Sequence, residues 1–360
     1  MRAVVLVGGE GTRLRPLTWT IPKQMLPVVE VRMIERVLVH LAGHGIDSAV
    51  LSLGYRPDAF LEAYPDGRCA GVDVSYAVEP TPLDTAGGIR FAANHAGIDE
   101  PFLVVNGDIL SDIDLGELIA FHRKAGAEGT ISLTPVADPS SFGVVPTDGA
   151  GKVEAFVEKP APGTAPTNMI NAGFYVLEPS VLGRIAGEGK VNIERETFPA
   201  MVADGTLFAL GSAAYWHDVG TPERYLQAHA DLLSGRRPGP PAPGAVEVRP
   251  GVWSVAGEAL PESVQPHSLV GVGAVIDPGA RVADAVIGAG AQVAAGAQVL
   301  ASVLLPGARV ERGALVEGSI VGPGAVVGAD AKVTGLSVLG PGYAVPAGSL
   351  LDGARLPASA

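Results

Sequence analysis

AVIGAGAQVAAGAQVLA (residues 285–301) runs without a break into SVLLPGARVERGALVEG (302–318). Aligned, the two place their aliphatic residues at the same steps: Ile287, Val293 and Val299 in the first, Leu304, Val310 and Val316 in the second. SLVGVGAVIDPGARVAD (268–284) precedes them in the same register, and SIVGPGAVVGADAKVTGL (319–336) and SVLGPGYAVPAGSLLDG (337–353) continue it. The period is 17, with an aliphatic about every six residues and small residues or glycine at the corners. Short strands at that spacing describe a parallel β-helix with three faces per coil, each coil burying its aliphatics against the next. A sandwich of short strands is the alternative, and it accounts less well for so regular a register.

Upstream of the repeat, SGRRPGPPAPGAVEVRPG (234–251) is rich in proline and glycine and reads as a linker. Before it the pattern changes. Apolar runs at 3–7 (AVVLV), 48–53 (SAVLSL), 72–78 (VDVSYAV) and 102–105 (FLVV) alternate with amphipathic stretches such as Val31–Leu41 and Leu115–His122. That alternation predicts an α/β domain with a mainly parallel, Rossmann-like sheet and helices on both faces. The expected organisation is therefore a domain over 1–233, a linker over 234–251 and the β-helix over 252–360.

Bulk properties limit the function. With 360 residues there is room for two cores. No uninterrupted apolar run reaches the ~18 residues of a membrane span, and 3–7 is too short for a signal peptide. The single cysteine, Cys69, excludes an internal disulfide framework and fits a reducing cytoplasm; in the polar stretch YPDGRCAG it shows no activating neighbour beyond Arg68. A net charge of −13 argues against a nucleic-acid partner but leaves room for a local cationic pocket.

Such a pocket is suggested at the end of the first apolar run, in LVGGEGTRLRPLTWTIPKQMLPV (6–28). Glycines after a buried strand let backbone N–H groups approach a ligand. GGEGT follows neither the dinucleotide nor the P-loop spacing, so alone it equally describes a tight connection. Arg13, Arg15 and Lys23 on a proline-stiffened loop at a strand's carboxyl end add phosphate-binding chemistry, with solvent-facing cations as the plain alternative.

The whole stretch resembles the signature G-G-x-G-T-R-L-x-P-L-T-x-x-x-P-K of sugar-1-phosphate nucleotidylyltransferases. VVNGDIL with Asp108, SFGVV with Gly143, FVEKP with Glu158 and Lys159, NAGFYVLEP with Asn171 and Gly173, and YWHDVGTPERYLQAH with Asp218 follow in the family's order. The likeness covers nearly the full chain and is nearest the mannose-1-phosphate guanylyltransferases, which join this domain to a hexapeptide-repeat tail. It implies a left-handed β-helix, a hand that ordinary crossover rules would not favour.

The resemblance also implies roles. A sugar 1-phosphate attacks the α-phosphorus of a nucleoside triphosphate and pyrophosphate leaves, a reaction of positioning and charge neutralisation. Gly8, Gly9, Gly11, Thr12, Arg13, Lys23, Glu79 and Gly87 are the expected nucleotide contacts. Gly143, Glu158, Lys159, Asn171 and Gly173 are expected around the sugar phosphate. Asp108 and Asp218 are the expected Mg²⁺ ligands and, with Arg13 and Lys23, the catalytic set. Taken singly, these residues have other readings: Gly107-Asp108 as a turn, Asp218 as the cap of a helix near Pro222, Glu158–Lys159 as an exposed ion pair. His217 has no Ser or Cys to pair with and is read as structural.

Base choice is read at YAVEPTPLDTAGG (76–88). Guanine's edge offers two adjacent donors that one carboxylate can accept, so Glu79 points to GTP, whereas thymidylyl relatives place Gln there. Asp84 departs from the family's P-L-G-T-A-G, Gln24 from P-K-P-M-L-P, and Arg32-Met33 from a proline found near there. These departures leave open thymidylyl, uridylyl or adenylyl transfer, and a cyclitol phosphate such as valienol 1-phosphate, as in antibiotic biosynthesis. Two other classes fit the residues less well. A non-catalytic regulatory subunit would be expected to lose charged site residues, and a hexapeptide acyltransferase needs a loop histidine, yet none follows His267. The tail is therefore expected to mediate homo-oligomerisation.

Overall fold

The computed structural model describes residues 1–359. The chain folds into two compact units: Met1–Gly9 with Ile34–Trp216, and Glu10–Met33 with the residues from His217 onward.

The strands of the first unit include β1 (Ala3–Leu6), β2 (Ser48–Leu53), β3 (Val72–Val78), β4 (Phe102–Asn106), β5 (Ile109–Ser111), β6 (Gly129–Pro135), β7 (Gly143–Val144), β8 (Val157–Glu158), β9 (Met169–Leu177) and β10 (Leu207–Gly211). Its helices of seven or more residues are α1 (Met33–Gly43), α2 (Asp84–His95), α3 (Leu115–Ala125) and α4 (Phe198–Asp204). β4, β1, β2 and β3 lie side by side and parallel, and β9 joins β4 antiparallel. The apolar runs at 48–53 and 72–78 coincide with β2 and β3. Val4, Val50, Ala77, Val104, Ile131 and Tyr175 contribute to a core in which each is at most 2% exposed. Helix boundaries follow local chemistry. Asp114 caps α3 by accepting the Glu117 N–H at 3.0 Å, and Gly126 ends it with a left-handed φ of 59°.

Cys69 lies in a two-residue strand, Arg68–Cys69, and is buried, where the polar sequence around it suggested a loop. Pairing of Cys69 with Val72 at a sheet edge turns it inward.

The second unit contains the β-helix, whose three sheets run strictly parallel from one coil to the next. Partners are 17 residues apart, as in Gln292↔Arg309 and Val299↔Val316, and 18 apart in the fourth coil, as in Val326↔Ala344. The period read from the sequence, including its one long repeat, is therefore the coil itself. The inserted residue is Leu336, beside Gly335, both with left-handed φ (65° and 63°). One corner takes that conformation at every coil, at His267, Asp284, Ala301, Gly318 and Gly335. Just inside this corner Ser268, Ser302, Ser319 and Ser337 form a buried ladder. The Ser302 and Ser319 hydroxyls donate to carbonyls two residues back at 2.7 and 2.8 Å, and Ser302 Oγ accepts the Ser319 N–H at 3.0 Å. Backbone groups that the corner would strand are satisfied this way. Val282, Val299, Val316 and Val333 fill the interior.

Two boundaries differ from the sequence expectation. The stretch read as linker to 251 already contains a strand, Val246–Arg249, paired antiparallel to Val252–Ser254. Residues 10–33 and helix α5 (Pro222–Leu233) also group with the β-helix rather than with the parallel sheet. The hairpin Pro27–Val28/Val31–Arg32 is joined to α5 by the Tyr225 hydroxyl donating to the Pro27 carbonyl and by the Val29 N–H donating to His229 Nδ1 at 3.3 Å. The linear division missed this because such contacts leave no local signature.

Candidate active site

In the first unit the strand order places β2 and β3 on one side of β1 and β4 on the other, so the connections diverge between β1 and β4. Parallel sheets bind ligands at the carboxyl edge of that switch point. Gly8 follows β1, Gly54 follows β2, Glu79 follows β3, and the turn Gly107-Asp108 follows β4. The Gly107 N–H donates to the Leu6 carbonyl at 3.0 Å, which ties the β4 turn to the end of β1. A Cβ on Gly8 would come 3.3 Å from Gly54 N and 3.4 Å from Glu79 Oε1, so Gly8, Gly54 and Glu79 share one edge. Asp108 is half-buried in its turn.

Glu79 is already engaged. Its Oε1 accepts from Ser52 Oγ at 2.9 Å and its Oε2 from the Leu83 N–H at 3.0 Å, which folds the 79–83 turn around the carboxylate. Each oxygen keeps accepting capacity for a further donor. Gly87 is buried in the first turns of α2; its N–H donates to the Val191 carbonyl at 3.2 Å and a Cβ there would meet Leu83 Cβ at 2.9 Å. Its place is thus at a packing contact. Asp84, departing from the family glycine, has a left-handed φ of 62°, and its Oδ1 accepts from the Thr85 N–H (2.7 Å) and Asn192 Nδ2 (3.1 Å). Aspartate tolerates that conformation better than most residues, so the departure keeps the turn.

The sugar-side candidates gather around β9. Asn171 Oδ1 accepts the Gly173 N–H and its Nδ2 donates to Tyr175 Oη, both at 2.9 Å, inside an irregularity between Asn171 and Tyr175. Gly173 has φ 76°, and a Cβ there would lie 2.5–2.6 Å from Ile109 and Asn106, so only glycine fits. Gly143 pairs with Glu158 across β7 and β8. Lys159 Nζ reaches Glu158 Oε1 at 2.8 Å with its side chain 60% exposed, the ion pair that the plain reading foresaw.

Glu194, which sequence reasoning passed over, belongs to this neighbourhood. It is largely buried, accepts from Thr85 Oγ1 at 3.2 Å, and is held above the usual carboxylate range by burial, with Glu158 and Asp84 pushing the same way. The Tyr175 phenol is likewise pushed up, first by burial and then by Glu194, with Glu158 and Asp108 adding to it. The carboxylates of Asp108, Glu158 and Glu194 thus all disfavour ionisation of this phenol, whose oxygen is bonded to Asn171. A carboxylate inside an otherwise amphipathic IERETF stretch was the available signal.

In the second unit the cationic segment forms three short 3₁₀ turns, Thr12–Leu14, Leu17–Trp19 and Lys23–Met25. Thr18 Oγ1 donates to the Gly11 carbonyl at 2.8 Å, and a Cβ on Gly11 would meet Lys23 Cβ and Thr18 Cγ2 at 3.1 Å. The glycine turn and Lys23 are thereby adjacent. Arg15 is taken up by Glu10 at 2.7 Å, and Arg13 is exposed.

Asp218 does not cap α5; Thr221 does, accepting the Arg224 N–H at 3.3 Å. Asp218 Oδ1 instead accepts the Gly220 N–H at 2.8 Å and its Oδ2 pairs with Arg224 Nη1 at 2.5 Å. A Cβ on Gly220 would stand 2.7 Å from Arg13 Nη2 and 2.8 Å from Asp218 Oδ1, so Arg13 and Asp218 meet over that glycine. His217 Nε2 lies 2.7 Å from the Arg224 carbonyl, an orienting contact. Among the described residues no three His, Cys, Asp or Glu side chains gather as a protein-only metal cage.

Comparison with known proteins gives this arrangement its class. Residues 2–235 match the Nucleotidyl transferase family, and residues 264–357 match the GMPPB C-terminal domain. The chain belongs to the nucleotidyl transferase family. It is 41% identical over 297 residues to the mannose-1-phosphate guanylyltransferase of Mycobacterium tuberculosis, covering 79% of either chain. It is 42% identical over 241 residues to the mannose-1-phosphate guanyltransferase of Schizosaccharomyces pombe, covering 66% of either. The crystal structure of HddC from Yersinia pseudotuberculosis superposes with a TM-score of 0.55 at 29% identity, covering 63% of this chain and 97% of that one; HddC has also been solved complexed with GMP-PN.

Proposed function

We propose that the protein joins GTP to a sugar 1-phosphate, releasing pyrophosphate and forming a GDP-sugar. A phosphate oxygen of the sugar 1-phosphate attacks the α-phosphorus of GTP, and the bond from that phosphorus to the α,β-bridging oxygen breaks. The observation that carries the reading is the meeting of Arg13 and Asp218 over Gly220, on two residues that the family signature had marked independently. Arg13 and Lys23 neutralise the triphosphate and the departing pyrophosphate. Gly8, Gly9, Gly11 and Thr12 offer backbone N–H groups, and Glu79 accepts from guanine. Gly87 supports that turn by packing. Lys159, released from Glu158, holds the sugar phosphate in line; Glu158 and Asn171 face the sugar hydroxyls, with Gly143 and Gly173 admitting the ring.

Asp108 and Asp218 are the residues that would hold Mg²⁺. The donor set fits: Mg²⁺ takes one or two carboxylates and completes its shell with water and phosphate oxygens, and Asp218 keeps lone pairs beyond its two hydrogen bonds. When bound, the ion supplies charge neutralisation at the phosphates.

The test is a panel of sugar and cyclitol 1-phosphates against GTP, ATP, UTP and dTTP, read by pyrophosphate release. Turnover with GTP, lost on chelation of divalent ions and in Asp108→Ala and Asp218→Ala, is expected; activity in both variants refutes the metal assignment. No helix among the described residues is long and apolar enough to cross a membrane, and the cytoplasm is the proposed compartment. We also propose self-association through the β-helix, where Val272, Val275 and Leu350 are exposed; a strict monomer at micromolar concentration by light scattering refutes it.

A further inference from the structure

We infer that the β-helix holds the cationic segment 10–33 in its ligand-binding shape, with Arg355 acting as a positioning residue for Arg13. The inference rests on the nucleotidyl transfer reading for its kinetic consequence, but not for its structural one. The segment consists of three one-turn 3₁₀ pieces broken by prolines, and such pieces have few internal hydrogen bonds to order them. Its order must come from what it touches.

Arg355, in the last coil, donates from Nη1 to the Arg13 carbonyl at 2.7 Å, a bond between residues 342 positions apart. Close by, a Cβ on Gly340 would come 3.1 Å from Pro16 Cβ, so that coil and the segment lie in direct contact. At the other end, the hairpin turn carries two left-handed non-glycine residues, Val29 (φ 50°) and Glu30 (φ 65°). Glu30 Oε1 accepts the Ala289 N–H from an earlier coil at 3.2 Å, and Gly271 leaves the space that Glu30 Oε2 occupies. Lys23 lies between these two grips. A charge-assisted bond to the Arg13 carbonyl fixes the backbone from which its guanidinium projects, and so fixes where that cation stands.

The experiment combines amide hydrogen exchange with steady-state kinetics on the full-length chain, for wild type, Arg355→Ala and Arg355→Lys, with Glu30→Ala and Glu30→Gln as the second grip. In Arg355→Ala, amides of residues 12–20 should exchange at least about tenfold faster, the loss of one hydrogen bond to a charged group, while the inner coils stay unchanged. kcat/KM for GTP should fall about five- to tenfold, with KM for the sugar phosphate within about twofold of wild type, and lysine should restore part of both. Glu30→Ala should loosen residues 26–33 and Glu30→Gln, which keeps the acceptor, should not. Unchanged exchange in Arg355→Ala overturns the inference whatever the activity. Faster exchange with an unchanged kcat/KM overturns the positioning role. Wild-type protein that turns over no substrate pair refutes the proposed function instead, and exchange then decides the grip alone.

Discussion

Replacing Gly220 with alanine tests the meeting of Arg13 and Asp218 with a single methyl group. The added carbon would stand 2.7 Å from Arg13 Nη2 and 2.8 Å from Asp218 Oδ1, where ordinary contacts begin near 3.4 Å. Both have to retreat, Arg13 Nη2 by roughly 0.7 Å and Asp218 Oδ1 by roughly 0.6 Å, to reach ordinary contact. Asp218 is held on both oxygens, by the Gly220 N–H and by Arg224, whereas Arg13 is exposed at the end of a flexible side chain. The guanidinium yields freely, whereas the shift of Asp218 strains its bonds to the Gly220 N–H and Arg224, so folding should cost about 1–2 kcal/mol. A misplacement approaching 1 Å at a charge-stabilising group costs up to about a hundredfold. We expect kcat/KM for GTP to fall about 10- to 100-fold, or about 1.4–2.7 kcal/mol of transition-state stabilisation. Pyrophosphate release under saturating sugar phosphate measures it, with a thermal melt as the control. A Gly220→Ala enzyme within twofold of wild type refutes the convergence.

Glu79→Gln should lower the preference for GTP over UTP and dTTP at least about tenfold, because the amide offers guanine one acceptor and one donor where it needs two acceptors; kcat/KM ratios across the nucleotides check it, and an unchanged ratio confines Glu79 to the 79–83 turn. Gln24 is buried with Oε1 accepting no hydrogen bond, so Gln24→Leu should stabilise the protein by about 1 kcal/mol in denaturant unfolding, and a loss of stability contradicts it. His122 is 2% exposed, between Thr130 Oγ1 (2.9 Å) and Glu178 Oε1 (3.2 Å), and burial holds its pKa below the ordinary 6.5. The folded state then binds fewer protons than the unfolded chain, so stability present above pH 6.5 is lost as pH falls from there toward the folded value. His122→Gln should flatten the slope of unfolding free energy as pH falls below about 6.5; an unaltered slope assigns the loss elsewhere.

The repeat was the most legible part of the chain, because each coil restates the same constraint and even the 18-residue exception showed when the repeats were set side by side. Strands β2 and β3 were readable from short apolar runs. The site was partly readable: the signature marked Arg13 and Asp218, and the fold brings them together over Gly220. What stayed hidden depends on contacts distant in sequence. Glu194 drew no reading from the sequence, and only the fold shows it half-enclosed and bonded to Thr85. Asp218 was read as a possible cap for the helix near Pro222, and the hydrogen bonds give that role to Thr221. Nothing local in residues 10–33 announced that they would lie with a β-helix more than 200 residues away.

The coil step gives that association a ruler. Ala289 follows the strand Val286–Ile287 and Arg355 opens Arg355–Leu356, four strand pairings further along the same sheet. At about 4.8 Å per pairing these two anchor points are roughly 19 Å apart along the stack. A tandem duplication or excision of one complete repeat would leave the solenoid well packed, yet slide one anchor past its mate by about 4.8 Å, farther than any hydrogen bond stretches. The number of repeats between them is thus gauged by the segment they clasp, and length variation should be tolerated before Ala289 and selected against after it.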